Sequence, residues 1–272
     1  MEIFGVDAFS PSEIAERVET VGVRKARLPF VQLFTLGVLA GGFIGFGALY
    51  YTLVVSDPNL GFAARRLLGG LAFSLGLILV VVAGAELFTG NNLLVMAWAG
   101  RRISGGELLR NWVIAYAGNF VGAFGLAWLV VLSKQGAMND NGVAAQVIAI
   151  ATTKSSLPFG EAFFKGVLCN VLVCLAVWLA MAGRSVTDKI LAVVFPISAF
   201  VAAGFEHSVA NMYFLSAGFL LRGNLLNAGF IRNLLPVTLG NIAGGGIMVA
   251  LVYFIVYRLG VSRKEGSGTS ST

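Results

Sequence analysis

Long apolar runs with few charges recur between Leu28 and Tyr257, at about 28–55, 67–100, 111–133, 166–183, 190–221 and 233–257. Away from water each run can satisfy its backbone only as a helix, and each is long enough to cross a bilayer. Only 12% of the residues are charged and 57% are hydrophobic, with a mean hydropathy of +0.86. Soluble domains carry roughly 25% charge, and no sizeable water-facing domain fits between the runs. The chain therefore reads as an all-α membrane protein with six transmembrane helices.

Two of the runs are too long for a single straight crossing. As continuous helix, Leu67 to Gly100 would reach roughly 51 Å and Ile190 to Leu221 roughly 48 Å, against a hydrocarbon core of about 30 Å. These second and fifth spans also hold the buried-looking polar clusters Glu86-Leu87-Phe88-Thr89-Gly90-Asn91 and Glu206-His207-Ser208-Val209-Ala210-Asn211, each with a glycine just ahead of it. Both spans are expected to be broken there. Irregular backbone at membrane depth is tolerated only where protein or a wet cavity satisfies it, so two breaks imply an interior path.

The chain matches itself. Gly84, Glu86 and Asn91 recur as Gly204, Glu206 and Asn211; Arg110, Asn111, Gly118, Asn119 and Gly122 recur as Arg232, Asn233, Gly240, Asn241 and Gly244. Spans two and three thus repeat as spans five and six, in units of about 28–133 and 157–259. Three spans per unit is an odd number, so the second unit starts from the opposite side of the membrane. The repeats are inverted, and the two breaks are expected to meet near the midplane. The many glycines, including Gly37, Gly41 and Gly45 at four-residue spacing, are assigned to close helix packing.

The net charge of +6 does not point to nucleic acid, because the basic residues sit in short clusters between spans rather than along one surface. Most of them, among them Arg24, Lys25, Arg101, Arg102, Arg184, Lys189 and Arg258, fall on the amino-terminal side. The positive-inside rule then puts both termini in the cytoplasm, as expected of a multi-pass protein of the cytoplasmic (inner) membrane. Residues 1–27 contain no apolar stretch suited to a cleavable signal. Instead Ser10, Pro11 and Glu13 form a capping box ahead of Ile14, Val18 and Val21, which predicts an amphipathic cytoplasmic helix. The tail, 260–272, is rich in Gly, Ser and Thr toward its end and is expected to be disordered. Cys169 and Cys174 lie inside one apolar run and read as structural thiols.

Four segments, GAELFTGN from Gly84, CNVLVCLAVW from Cys169, GFEHSVANM from Gly204 and PVTLGNIAGGG from Pro236, together resemble the formate/nitrite transporter family. The resemblance spans about Ser10 to Leu259. It implies an aquaporin-like protomer fold, assembly into a homopentamer with a pore in each subunit, and a small monovalent anion as the solute: formate foremost, with nitrite and hydrosulfide as alternatives. It also marks Thr89, Lys154, Asn170, Glu206, His207, Asn211 and Asn241 as matched positions of the solute path.

His207, the only histidine, sits in a break inside an apolar span, where an ionisable group marks a solute or proton path. It is expected to donate or relay a proton while Thr89 orients the anion, because a neutral acid crosses an apolar constriction far more readily than an ion. Lys154, placed in the loop between the halves, resembles the family lysine that makes the approach electropositive. Asn170, Asn241, Glu86 and Glu206 are expected to bond the unwound backbone. Phe73, Leu77, Phe88, Val173 and Phe200 resemble the family's apolar constrictions. No cofactor or metal is expected, since one histidine without a ligand cluster makes no metal site and no nucleophile-base pair stands out; the chain does not read as an enzyme. A neutral-solute pore of the aquaporin type is the lesser alternative, as neither break carries Asn-Pro-Ala.

Overall fold

The computed structural model describes residues 8–224 and 228–259; the predicted tail lies outside them. The element order is α1 Pro11–Ala26, α2 Phe30–Val55, α3 Phe62–Leu79, α4 Val95–Ala99, α5 Gly105–Leu132, α6 Gly142–Ser155, α7 Phe159–Ala182, α8 Val186–Ala203, α9 Ser208–Leu221, α10 Gly229–Ile242 and α11 Val252–Tyr257. Helix α3 runs on through a π-helical turn, Val80–Gly84, and α10 joins α11 through a π-helical segment, Ala243–Leu251. Six of the described helices are long and apolar enough to cross a membrane. Three begin five to seven residues before the uncharged run does, because Arg65, Arg66, Glu107, Arg110, Glu161 and Lys165 occupy their first two turns. Such side chains extend their charged ends toward the interface while the helix continues inward.

Both long spans break where the sequence requires it. The second stops at Gly84 and resumes as a 3-10 turn at Gly90; the fifth stops at Ala203 and resumes at Ser208. Gly84 and Gly204 have φ of +86° and +75°, a left-handed conformation that glycine adopts without a Cβ penalty. Each marks the end of its half-helix.

Two hydrogen bonds reveal how the halves relate. Tyr116 and Thr238 are equivalent positions of the repeat, 122 residues apart, and their hydroxyls bond each other at 2.9 Å. Ser74 and Val194 are equivalent too, and Ser74 Oγ lies 3.4 Å from the Val194 carbonyl oxygen. A residue that touches its own equivalent sits at a pseudo-two-fold axis. Near that axis Gly70 packs on Ser198 while Ser74 meets Val194, so α3 and α8 run in opposite directions. Equivalent helices that cross antiparallel fit the inversion inferred from the odd number of spans.

Close packing is made by glycine. A Cβ on Gly41 would strike the Asn119 carbonyl in α5, and one on Gly244 would strike the Val167 carbonyl in α7. These contacts bring α2 against α5, and α7 against the last span, at backbone distance.

Helix α1 has the predicted capping box, with Ser10 N–H donating to Glu13 at 2.7 Å. Its apolar face packs beneath the break in the second span, against Leu93, Leu94 and Ala97. Polar and ring contacts along its length fix the helix. Phe9 lies between the guanidinium groups of Arg17 and Arg184, 3.9 and 4.0 Å from its ring; buried Glu19 accepts from Arg258 at 2.8 Å; and Lys25 reaches Glu86 at 3.0 Å. The Glu19–Arg258 pair also puts the amino-terminal helix and the end of the last span on one side of the molecule.

Candidate functional site: a polar centre between two vestibules

The two breaks are held by matching sets of side chains. Asn119 Nδ2 donates to the carbonyls of Gly37 and Glu86, and its Oδ1 accepts the Phe88 N–H at 2.9 Å. Asn241 does the same in the other half, donating to Gly166 and Glu206 and accepting the Ser208 N–H at 2.9 Å. Asn91 donates to Glu86 and Asn111, as Asn211 donates to Glu206 and Asn233. Lys25 pairs with Glu86 at 3.0 Å, as Lys154 pairs with Glu206 at 2.8 Å. Every amide or carboxylate in one set has its counterpart in the other.

This duplication corrects three expectations. Lys154 is not in a loop; it lies in the last turn of α6. The repeat extends beyond the spans, because α6 stands to Glu206 as α1 stands to Glu86. The common pattern K-x-x-L-P-F, at Lys25–Phe30 and Lys154–Phe159, is the sequence signal that would have found Lys25. The Glu86 and Glu206 carboxylates bond lysine and asparagine side chains rather than unwound backbone. A carboxylate only accepts, whereas the breaks expose both donors and acceptors, which an amide such as Asn119 or Asn241 can satisfy together.

Inside this symmetric frame lie two residues that break the symmetry. Thr89 stands where the other half has Val209, and His207 where it has Leu87. They meet: Thr89 Oγ1 is 3.0 Å from His207 Nε2, and both side chains are buried. His207 also caps α9, its Nδ1 accepting the Ala210 N–H at 3.0 Å. With Nδ1 committed as an acceptor, the neutral ring carries its proton on Nε2 and donates it to Thr89. The threonine hydroxyl then has its own proton left to offer. The Thr89 carbonyl is held from α7 by Asn170 Nδ2 at 3.2 Å and Cys174 Sγ at 3.4 Å, so Cys174 packs directly behind the site. Asn170 also donates to the Asn241 carbonyl at 2.7 Å. Its Oδ1 has no partner among the described residues.

A vestibule opens on either side of this pair. One, of about 300 Å³, is lined by Phe73, Phe200, Lys154, Lys165, Arg66 and Glu206, among others. The other, of about 490 Å³, includes Leu77, Val80, Leu87, Lys25, Lys189 and Glu86 in its lining. Cations outnumber carboxylates in both, which raises the local concentration of anions. Neither cavity reaches His207 or Thr89. Phe73 and Phe200, ring centroids 5.7 Å apart, close one approach, and Phe200 stacks on the His207 ring at 5.9 Å. Leu77, Val80 and Leu87 line the other side. Phe88 and Val173 line neither vestibule. The Asn119 bond holds the Phe88 amide, and the Phe88 ring packs on Tyr116 and Trp112, so within the break it is Leu87 that faces a vestibule.

A buried polar pair on a two-fold frame, approached from both sides through basic vestibules and closed by apolar side chains, defines a multi-pass membrane transport protein. Residues 12–255 match the formate/nitrite transporter family, and the chain belongs to it. It is 39% identical over 271 residues to the formate channel FocA of Escherichia coli K12, covering 92% of this chain and 95% of that one. It is 42% identical over 262 residues to the uncharacterized transporter YrhG of Bacillus subtilis, covering 94% and 96%. Among solved structures it is similar to a pentameric formate channel with formate bound, at 38% identity and a TM-score of 0.76, covering 84% of this chain and 97% of that one.

Proposed function

We propose that the chain conducts formate through each protomer by a proton-linked, channel-like route, with Thr89 and His207 as its central station. The observation that carries this reading is the Thr89–His207 bond at 3.0 Å, where two polar residues stand in place of the aliphatic side chains of the other repeat. The formate channels among its relatives supply the solute. Homopentameric assembly is proposed from the pentameric neighbour. A place in the cytoplasmic membrane, with both termini inside, is proposed from the excess of Arg and Lys on the α1 side.

Formate collected in a basic vestibule cannot pass rings and leucines as a bare ion without a large desolvation cost. At the centre, the Thr89 hydroxyl donates to a formate oxygen while Asn170 Oδ1, buried and unpartnered, accepts the O–H of the protonated acid. The site thus suits the neutral acid, whose donor and acceptor it matches. His207 keeps the Thr89 hydroxyl turned toward the solute. It becomes a cation only by protonating Nδ1, which displaces the Ala210 N–H and opens the cap of α9. Proton delivery by His207 is therefore tied to a local movement at the start of that helix.

The test is flux into proteoliposomes of formate, nitrite, hydrosulfide and glycerol, with and without an inward proton gradient, for wild type and His207→Ala. Formate flux with a proton dependence that disappears in the variant is the expected result. Glycerol flux with no anion preference would overturn the function and leave the fold intact; a preference for nitrite or hydrosulfide would reassign the solute.

A further inference from the structure

The repeat exposes one cation that lacks the role of its twin. Arg110, in α5, donates from Nη1 to the carbonyls of Ala26 and Leu28 at 3.4 and 3.1 Å, tying the amino-terminal helix to the bundle. Its equivalent is Arg232, in α10, and the equivalent carbonyls are those of Ser155 and Leu157. Arg232 makes neither bond. Among the described residues its guanidinium has no hydrogen-bond or ion-pair partner, and it is the sole ionisable residue of a shallow groove of about 510 Å³ at the first turns of α7 and α10.

Apart from Ser156, the other side chains lining that groove are apolar. Phe159, Ile231 and Leu235 are 57%, 74% and 53% exposed, on helices that cross the membrane. The groove lies on the side opposite α1, since the far end of the last span is the one joined to Glu19. A guanidinium beside exposed apolar side chains at the start of a span sits at headgroup depth, and no carboxylate in the groove balances its charge.

We infer that Arg232 binds the phosphate of an anionic phospholipid in the leaflet opposite α1, with an acyl chain lying along Phe159, Ile231 and Leu235 and Ser156 beside the headgroup. Charge complementarity selects an anionic lipid over a zwitterionic one, and the apolar rim selects a lipid over a free phosphate. One basic residue at a membrane surface gives about a fivefold preference.

The test is native mass spectrometry of the full chain, delipidated in detergent and titrated with phosphatidylglycerol, phosphatidylcholine or glycerol phosphate. Wild type and Arg232→Lys should retain phosphatidylglycerol about fivefold better than phosphatidylcholine, and Arg232→Gln should lose that preference while keeping the oligomeric state. Equal retention by Arg232→Gln overturns the site. So does glycerol phosphate displacing the lipid at equal concentration, which would make this a free-anion site. Dissociation of the oligomer on Arg232→Gln would also overturn it, since a second copy of the chain would then be what covers the groove.

Discussion

Thr89 Oγ1 stands 3.0 Å from His207 Nε2, and each residue occupies a position that the other repeat fills with an aliphatic side chain, Val209 or Leu87. A symmetric scaffold thus carries an asymmetric centre. Duplication built the frame, and the two departures from it form the polar contact between the vestibules.

That contact predicts a graded response at residue 89. Thr89→Val keeps the shape and removes the hydroxyl, leaving Nε2–H without an acceptor and the anion without a donor. Formate flux in proteoliposomes should fall by about tenfold or more, the scale of a buried donor left unsatisfied, while Thr89→Ser should stay close to wild type. Equal flux from Thr89→Val and wild type would remove Thr89 from the path.

The two lysine–glutamate pairs should differ in their contribution to stability. The Lys154 and Glu206 side chains are 14% and 6% exposed, against 27% and 8% for Lys25 and Glu86. Lys154→Met leaves the more deeply buried carboxylate unpaired and should destabilise the protein by about 3 kcal/mol, more than Lys25→Met does. Lys154→Met with Glu206→Gln should recover part of that loss. Thermal unfolding in detergent reads all three.

Two glycines one turn apart in α5 should respond with opposite signs. A methyl on Gly122 would strike the Val38 carbonyl and lie 3.0 Å from the Gly42 nitrogen, whereas one on Gly125 meets nothing within 4 Å. Gly122→Ala should force α2 and α5 apart at about 1–3 kcal/mol. Gly125→Ala should stabilise the helix by about 1 kcal/mol, and the two melting temperatures should move apart accordingly.

The capping box of α1 implies a pH dependence. The Ser10 hydroxyl and amide, aided by Arg184 and Arg17, hold the Glu13 carboxyl below its ordinary value of 4.5. A group depressed on folding contributes fully above its unfolded value, and that contribution is lost as pH falls through the lower, folded value. Protection factors in α1, taken against the intrinsic exchange rate at each pH, should therefore fall between about pH 6 and about pH 3 in wild type. Glu13→Gln should exchange faster at the upper pH and respond less to acid; an α1 equally protected at both pH values in wild type would rule out a capping contribution from Glu13.

Much of this architecture is readable in the chain because bilayer chemistry leaves few options. Uncharged length dictates the spans, and excess length together with a polar cluster after Gly84 and Gly204 dictates the breaks. The matched Glu and Asn residues dictate a duplicated frame, since the amides that satisfy broken backbone and the carboxylates of the surrounding polar set recur in both copies. Tertiary structure decided what local sequence leaves open. Helices α1 and α6 share little beyond a terminal lysine and the L-P-F that follows, since their outer faces meet different surroundings; the lysine contacts with Glu86 and Glu206 show that the short shared pattern marks equivalents. Leu87 rather than Phe88 faces a vestibule because backbone torsions within a break set which side chain turns inward, and those torsions depend on Asn119 from another helix. Hydrophobic length is a property of a segment and can be read along it. The facing of a side chain inside unwound backbone is set by partners distant in sequence, so it exists only once the helices have packed.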